Sequence, residues 1–301
     1  MAAIAQDIEA QARQVRAMMR YVDPGNFVTR RYVSQGREMN TGTYSDHEVI
    51  IRDGMPMRDH FELDVHGFMI ARQPSAIRDF YDKDEVDRSY EREVERHIRQ
   101  LAGADKVVAR GWMIRTSADL SRRAQEKVKE YRHTGGVQPP AGEAHIDINP
   151  ATAHRMAEHT YAEHFPDGPG YTRFLISSYW RTFSPPPQDV PLAVCDGRSA
   201  EGGEEKSNTL FVVDEFPEGE DAIKPVEGED QMIAATIPSY NPDHRWWYFS
   251  NMDRDDVLFF KFYDSDQSRT WRCPHTAFID GAMQGAHTRA SIETRSVAFW
   301  E

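Results

Sequence analysis

Cys273-Pro274-His275-Thr276-Ala277-Phe278 reads as a short apolar segment with one imidazole set in it, and Arg289-Ala290-Ser291 follows fourteen residues later. A histidine in such a segment can be a satisfied core residue, and an arginine on a strand can be plain surface. Downstream of His145-Ile146-Asp147, the two read together as a metal site followed by a carboxylate clamp. His145, Asp147 and His275 would form a two-histidine, one-carboxylate face, the donor set that suits Fe(II) and leaves it open positions.

Histidine, any residue, then a carboxylate is weak evidence by itself. With 12 histidines and 49 acidic residues in 301, about two such triplets are expected by chance. Two occur, His60-Phe61-Glu62 and His145-Ile146-Asp147. The first sits in the charged context Arg58-Asp59 and reads as solvated surface. The second opens the strand-rich half of the chain.

The distal partner is more discriminating. Iron in such a site needs a co-substrate that chelates through keto and carboxylate oxygens, as 2-oxoglutarate does. Its far carboxylate then needs a planar bidentate donor, which arginine supplies and lysine supplies poorly. If His275 and Arg289 lie on neighbouring antiparallel strands joined by the turn around Gly281–Gly285, they come side by side. Ser291 shares the parity of Arg289 and faces the same way. Arg295 has the same parity and is the alternative clamp.

Outward from this stretch the chain is expected to be α+β, with a double-stranded β-helix (jelly-roll, cupin-like) core and flanking N-terminal helices. Residues 1–301 are expected to form one domain. In it, residues 1–135 would be helical and strand decorations bracing a barrel formed by 140–301. Apolar residues near helical spacing predict an amphipathic helix over Ala3–Tyr21. The stripe Val86, Tyr90, Val94, Ile98, Leu101 predicts a helix over Asp84–Leu101, and others are expected over Ser117–Tyr131 and Ala151–His164. Short strands are expected at Phe27–Thr29, His47–Ile51, Phe61–Val65, Phe174–Trp180, Trp246–Phe249, Val257–Tyr263, Thr276–Ile279 and Ser291–Trp300. Ser199–Glu229, rich in Gly, Glu and Asp, reads as a mobile loop or lid containing the strand-like Thr209–Val213. Tyr179, Trp180, Arg181, Trp246, Trp247 and Tyr248 are candidates for the wall of a substrate pocket.

With 36 basic and 49 acidic residues the net charge is −13. That surface repels phosphate backbones and anionic membranes, so neither nucleic acid nor membrane is expected as a partner. Two cysteines, Cys195 and Cys273, are too few for a disulfide framework and suit a reducing compartment. No signal peptide or membrane span is read in Met1–Arg20, and a cytoplasmic location is expected. The chain lacks the Cys-x-x-Cys and His-Glu-x-x-His patterns of zinc sites.

At these same residues the sequence resembles the fungal and bacterial hydroxylase/desaturase family of secondary metabolism, which includes the hydroxylase component of cephamycin 7α-methoxylation. The matching pieces are His145-Ile146-Asp147, Tyr179-Trp180-Arg181, Pro191–Asp196, His244–Phe249, Phe260–Asp266, Pro274–Phe278 and Arg289–Glu293. The resemblance covers about residues 144–299. It implies Fe(II) with 2-oxoglutarate as co-substrate and a jelly-roll core. It also implies O2-dependent hydroxylation or desaturation of a small natural-product scaffold, as in antibiotic biosynthesis. Ser178, Thr182 and Thr288 depart from the residues the family usually carries there. Two other readings stay open. One is a small-ligand-binding or partner-assisting barrel without turnover; the other is a metal-dependent hydrolase or isomerase. A homodimer or a biosynthetic partner enzyme is also left open.

Overall fold

Period-two alternation builds most of this chain. In Gln14–Val22 (β1), Val15, Ala17, Met19 and Tyr21 are buried and the residues between the first three are exposed. A helix was expected here because positions 12, 15 and 19 also fit a 3.6-residue period. Pairing along its whole length with Tyr44–Asp53 (β4) decides for the strand. The computed structural model describes residues 12–34, 37–118, 137–281 and 285–301. The helix expected over Ser117–Tyr131 falls almost wholly outside them.

Three sheets result. One has five strands in the order β1, β4, Trp246–Tyr248 (β12), Leu192–Cys195 (β9) and His275–Ala277 (β14). A second has six: Phe68–Arg72 (β5), Asp256–Asp264 (β13), Arg173–Thr182 (β8), Ala290–Trp300 (β15), Lys106–Thr116 (β6) and Val137–Gln138 (β7). A third joins Ala234–Pro238 (β11), Glu205–Val212 (β10), Arg30–Ser34 (β2) and Arg37–Asn40 (β3). The curled sheets enclose a jelly-roll core. Residues 14–116, expected as bracing decoration, supply strands to all three sheets.

Strand alternation sorts side chains into separate cores. Inside the sandwich, Phe68, Ile176, Trp180, Val194, Trp247, Leu258 and Phe260 pack with Ile146 and Ile148. On the outer face of the six-stranded sheet, Tyr179, Phe259 and Ile292 meet the long helix Lys83–Ala102. That helix lays down Val86, Tyr90, Val94 and Ile98, all fully buried. Asp82 caps it, accepting from the Glu85 amide, and Gly103 ends it at φ 65°. On the outer face of the five-stranded sheet, Val15, Met19, Tyr21, Ile51, Trp246 and Tyr248 form a third cluster.

Three local expectations change. The strand expected at Phe27–Thr29 begins instead at Arg30. The strand expected over Phe61–Val65 is a tight turn into a one-turn helix, Leu63–His66. Gly67 ends it at φ 85°, and a Cβ there would lie 2.7 Å from the Arg272 carbonyl oxygen, so only glycine fits. Ser199–Glu229 contains β10 and is tied to the body. The buried Arg30 guanidinium donates to Glu229 (2.8 and 2.5 Å) and to the carbonyls of Ala222 and Lys224 (2.9 and 2.7 Å). Free glycines and acids suggested a lid, and one buried arginine from another sheet strand pins it.

Candidate active site

His145 and His275 are joined through their backbones. The His145 amide donates to the His275 carbonyl (3.1 Å) and the His275 amide to that of His145 (2.9 Å). The same segment is stitched on either side, Ala144 to Arg20 and Ile146 to Thr236. Ile146 and Ile148 pack in the core, and the bend at 147–148 brings Asp147 back to the His145 ring. Asn149 then caps the helix Pro150–His164 by accepting from the Thr152 amide.

The side chains converge. Asp147 Oδ1 lies 3.0 Å from His145 Nε2 and 3.5 Å from His275 Nε2, and the three potential ligand atoms lie within 4.8 Å of one another. His145 Nδ1 is 2.8 Å from the Glu143 carbonyl, and His275 Nδ1 is 3.4 Å from that of Cys273. Those contacts make Nδ1 the donor in each ring and aim both Nε2 atoms at Asp147, the outer-shell pattern of metal-bound imidazoles. Burial lowers the pKa of His145, but the Asp147 hydrogen bond and charge outweigh it and raise it. Burial alone would push the Asp147 carboxyl up. The charge of Arg295 and the two imidazoles outweigh it and hold Asp147 well below the usual carboxylate range. For His275 burial dominates and its pKa falls, which favours the neutral ligand form.

His275 and Arg289 are not neighbours on one sheet, as the hairpin reading expected. His275 is in β14, paired with β9, and Arg289 precedes β15 in the opposite sheet. They meet across the sandwich, lining one cavity with His145, Trp180 and Arg115. The Arg289 amide is held by Ser117 Oγ and Asp189 Oδ1 (2.8 and 2.9 Å), and its Nη1 donates to the Val190 carbonyl (2.8 Å). Its Nε is buried without a partner. No carboxylate side chain within 4.0 Å pairs with this guanidinium among the described residues. Burial first, and then the nearby Arg115, push its pKa down to about 9. A bound anion would relieve both. Ser291 is buried beside it but donates to the Arg115 carbonyl (3.3 Å) and does not line the cavity. Arg295, the alternative clamp, is instead ion-paired to Asp147 Oδ2 at 2.5 Å.

Of the six aromatic-segment candidates, the structure brings only Trp180 to this cavity. Tyr179 and Arg181 have the opposite parity. The Tyr179 hydroxyl meets His97 Nδ1 (2.6 Å), and Arg181 donates to the hydroxyls of Tyr90 (3.0 Å) and Tyr179 (3.1 Å). Trp247 packs in the core edge-on to Phe61, and Tyr248 against Phe278. Arg115 and Glu293 line the cavity without having been read as site residues. Glu293 shares the parity of Arg289 and was within reach of the sequence. Arg115 comes from the pairing of β6 with β15, opposite Ser291, which nothing local announces.

Trp246 belongs to a buried relay on the outer side. Its Nε1 donates to the Tyr21 hydroxyl (2.7 Å), which lies 3.3 Å from His244 Nδ1. Burial, and then the charge of Arg272, push His244 down from 6.5 to about 4. The folded chain therefore refuses a proton that the unfolded chain accepts. Stability is full above pH 6.5 and is lost as pH falls from 6.5 towards 4, by up to about 3 kcal/mol. Urea midpoints taken at pH 7.5 and 4.5 should show that loss, and His244→Asn should remove this part of it.

Comparison with known proteins agrees with the geometry. Residues 19–299 match the family described as oxidoreductase/YMDC permease-like domain. The hydroxylase/desaturase CTB9 of Cercospora beticola is 30% identical over 262 residues, covering 86% of this chain and 78% of that protein. The hydroxylase/desaturase efuI of Hormonema carpetanum is 28% identical, covering 86% and 85%. The Fe(II)/2-oxoglutarate-dependent dioxygenase nvfI of Aspergillus novofumigatus is 28% identical over 276 residues, covering 88% and 87%. A solved structure of the iron and alpha-ketoglutarate-dependent endoperoxidase NvfI shares the fold, with a TM-score of 0.75 at 23% identity over 95% of this chain and 98% of that one. The chain belongs to the oxidoreductase family of these hydroxylase/desaturases, whose members are Fe(II)- and 2-oxoglutarate-dependent dioxygenases.

Proposed function

We propose that this chain oxidises an unactivated C–H bond of a small natural-product scaffold, by hydroxylation or desaturation. His145, Asp147 and His275 would hold Fe(II), and Arg289 would take the far carboxylate of 2-oxoglutarate. The observation that carries this is the buried guanidinium of Arg289, lacking a carboxylate partner, in the same cavity as the two imidazoles.

When bound, the iron supplies O2 activation coupled to oxidative decarboxylation of the keto-acid. The rest is the work of the chain. The Glu143 and Cys273 carbonyls fix the imidazole tautomers. The Val190 carbonyl and the Trp180 ring, 5.8 Å from the guanidinium centre, fix the Arg289 side chain. Trp180, Leu192 and Phe260 give the cavity an apolar wall, which keeps water from a reactive centre. A cytoplasmic location fits the two free, buried cysteines. Among the described residues no helix is long and apolar enough to cross a membrane.

The test is succinate formation from 2-oxoglutarate by the purified chain with Fe(II) and O2 across a panel of polyketide and terpenoid scaffolds. Scaffold-stimulated succinate supports the reading. Turnover that is indifferent to 2-oxoglutarate would move the chain to the hydrolase or isomerase alternative.

A further inference from the structure

Asp147 offers two oxygens of unequal fate. Oδ1 faces both imidazole Nε2 atoms, at 3.0 and 3.5 Å. Oδ2 is buried and points the other way, with Arg295 Nη2 at 2.5 Å. We infer that Arg295 is a positioning residue for the metal site: it holds Asp147 to one-oxygen ligation and keeps the remaining position open for co-substrate or O2. This rests on His145, Asp147 and His275 being the ligands.

A carboxylate free to rotate can present both oxygens to a cation, which would close a coordination position that a facial triad needs open. An arginine on Oδ2 makes that swing costly, because a close ion pair to a buried carboxylate would have to break. Among the described residues the guanidinium has no comparably close competitor. Its other carboxylate neighbour, Glu293, is 3.8 Å from Nε.

The local backbone is irregular at this residue. Along β15, Arg289, Ser291, Glu293 and Arg295 share one parity. In the pairing with β6, Thr294 lies opposite Trp112 and Ser296 opposite Ala109, so Arg295 alone opposes Arg110 and Gly111. That is a β-bulge, with Gly111 at φ 77°, a device that re-aims nearby side chains beside functional sites. The amides the bulge frees are not left unpaired. Gly111 donates to Glu91 (2.9 Å) and Ala109 to Glu95 (3.0 Å), both on the long helix. The helix, expected only to brace the sheet, thereby fixes the strand register beside the residue that holds the metal ligand.

The experiment is Co(II) titration of the chelator-stripped chain, by calorimetry and by the visible absorption of bound Co(II), in wild type, Arg295→Gln, Arg295→Lys and Arg289→Gln. Arg295→Gln should change the visible absorption of bound Co(II), weakening it as the second Asp147 oxygen raises the coordination number, with Arg295→Lys restoring the wild-type spectrum in part. The melting temperature of the metal-free variant should stay within about 3 °C of wild type. Arg289→Gln should bind Co(II) as wild type does. A Co(II) spectrum of Arg295→Gln identical to wild type overturns the assignment, as does a change that only accompanies a collapse in metal-free melting temperature. A variant that keeps the wild-type Co(II) spectrum but loses 2-oxoglutarate would make Arg295 a second clamp, and would equally overturn it. A wild-type chain that binds no Co(II) sinks the reading of the site itself, and this assignment with it.

Discussion

Arg289→Lys is expected to lower kcat/KM for 2-oxoglutarate about 100- to 1,000-fold, a loss of roughly 3–4 kcal/mol of transition-state stabilisation. The size follows from the burial and the geometry. Arg289 is 1% exposed, and one of its nitrogens is committed to the Val190 carbonyl. The rest of the fork remains to meet a carboxylate with two parallel hydrogen bonds. Lysine offers one compact charge on a flexible stem, and cannot hold the carbonyl and both carboxylate oxygens in a plane. Because the substitution leaves the imidazoles and Asp147 untouched, metal affinity should not change. The check is a pair of titrations, 2-oxoglutarate into the Co(II)-loaded chain and Co(II) into the stripped chain. A variant whose 2-oxoglutarate affinity stays within threefold of wild type would remove Arg289 from the clamp.

His275→Ala should abolish turnover, by more than about 1,000-fold, and take metal binding with it, since two protein ligands rarely retain a divalent ion against water. A second, separable effect is structural. The His275 ring lies 4.7 Å from Phe260 and stacks on Phe262 at 5.6 Å, so its removal leaves a hole costing about 2–3 kcal/mol. The two are told apart by melting the stripped proteins. The stability loss should appear without metal, and the wild type alone should gain stability when Co(II) is added. Residual scaffold-stimulated succinate above about 0.1% of wild type, the level a 1,000-fold loss leaves, would contradict the ligand assignment.

Much of the site was legible because its chemistry is rare in sequence. Two imidazoles, an aspartate and an arginine at those positions have few joint uses, and the structure brings all four together. The route was less legible. A hairpin was inferred from the fourteen residues between His275 and Arg289, yet they sit on opposed sheets. Sequence distance constrains a loop but does not tell whether it turns back within a sheet or crosses to the next. The faces of strands were misjudged where whole aromatic runs were read as one wall. In Tyr179-Trp180-Arg181 and Trp246-Trp247-Tyr248 every residue is buried, so hydropathy carries no parity signal, and only pairing assigns each ring to a core. The first strand failed for the opposite reason. Its apolar positions satisfied two periods at once, and the partner that chose between them, β4, lies more than twenty residues away.

The backbone bridge between positions 145 and 275 has a consequence for how the protein acquires its cation. In small zinc modules the ion assembles its own ligands, so binding energy is folding energy. Here amide-to-carbonyl pairs already clasp the two segments that carry the proposed ligands, and neighbouring strands anchor them further. Loading is then a matter of occupancy rather than of architecture. With His145, Asp147 and His275 as the ligands, the chelator-stripped chain is expected to keep its fold and to regain activity on addition of Fe(II) alone.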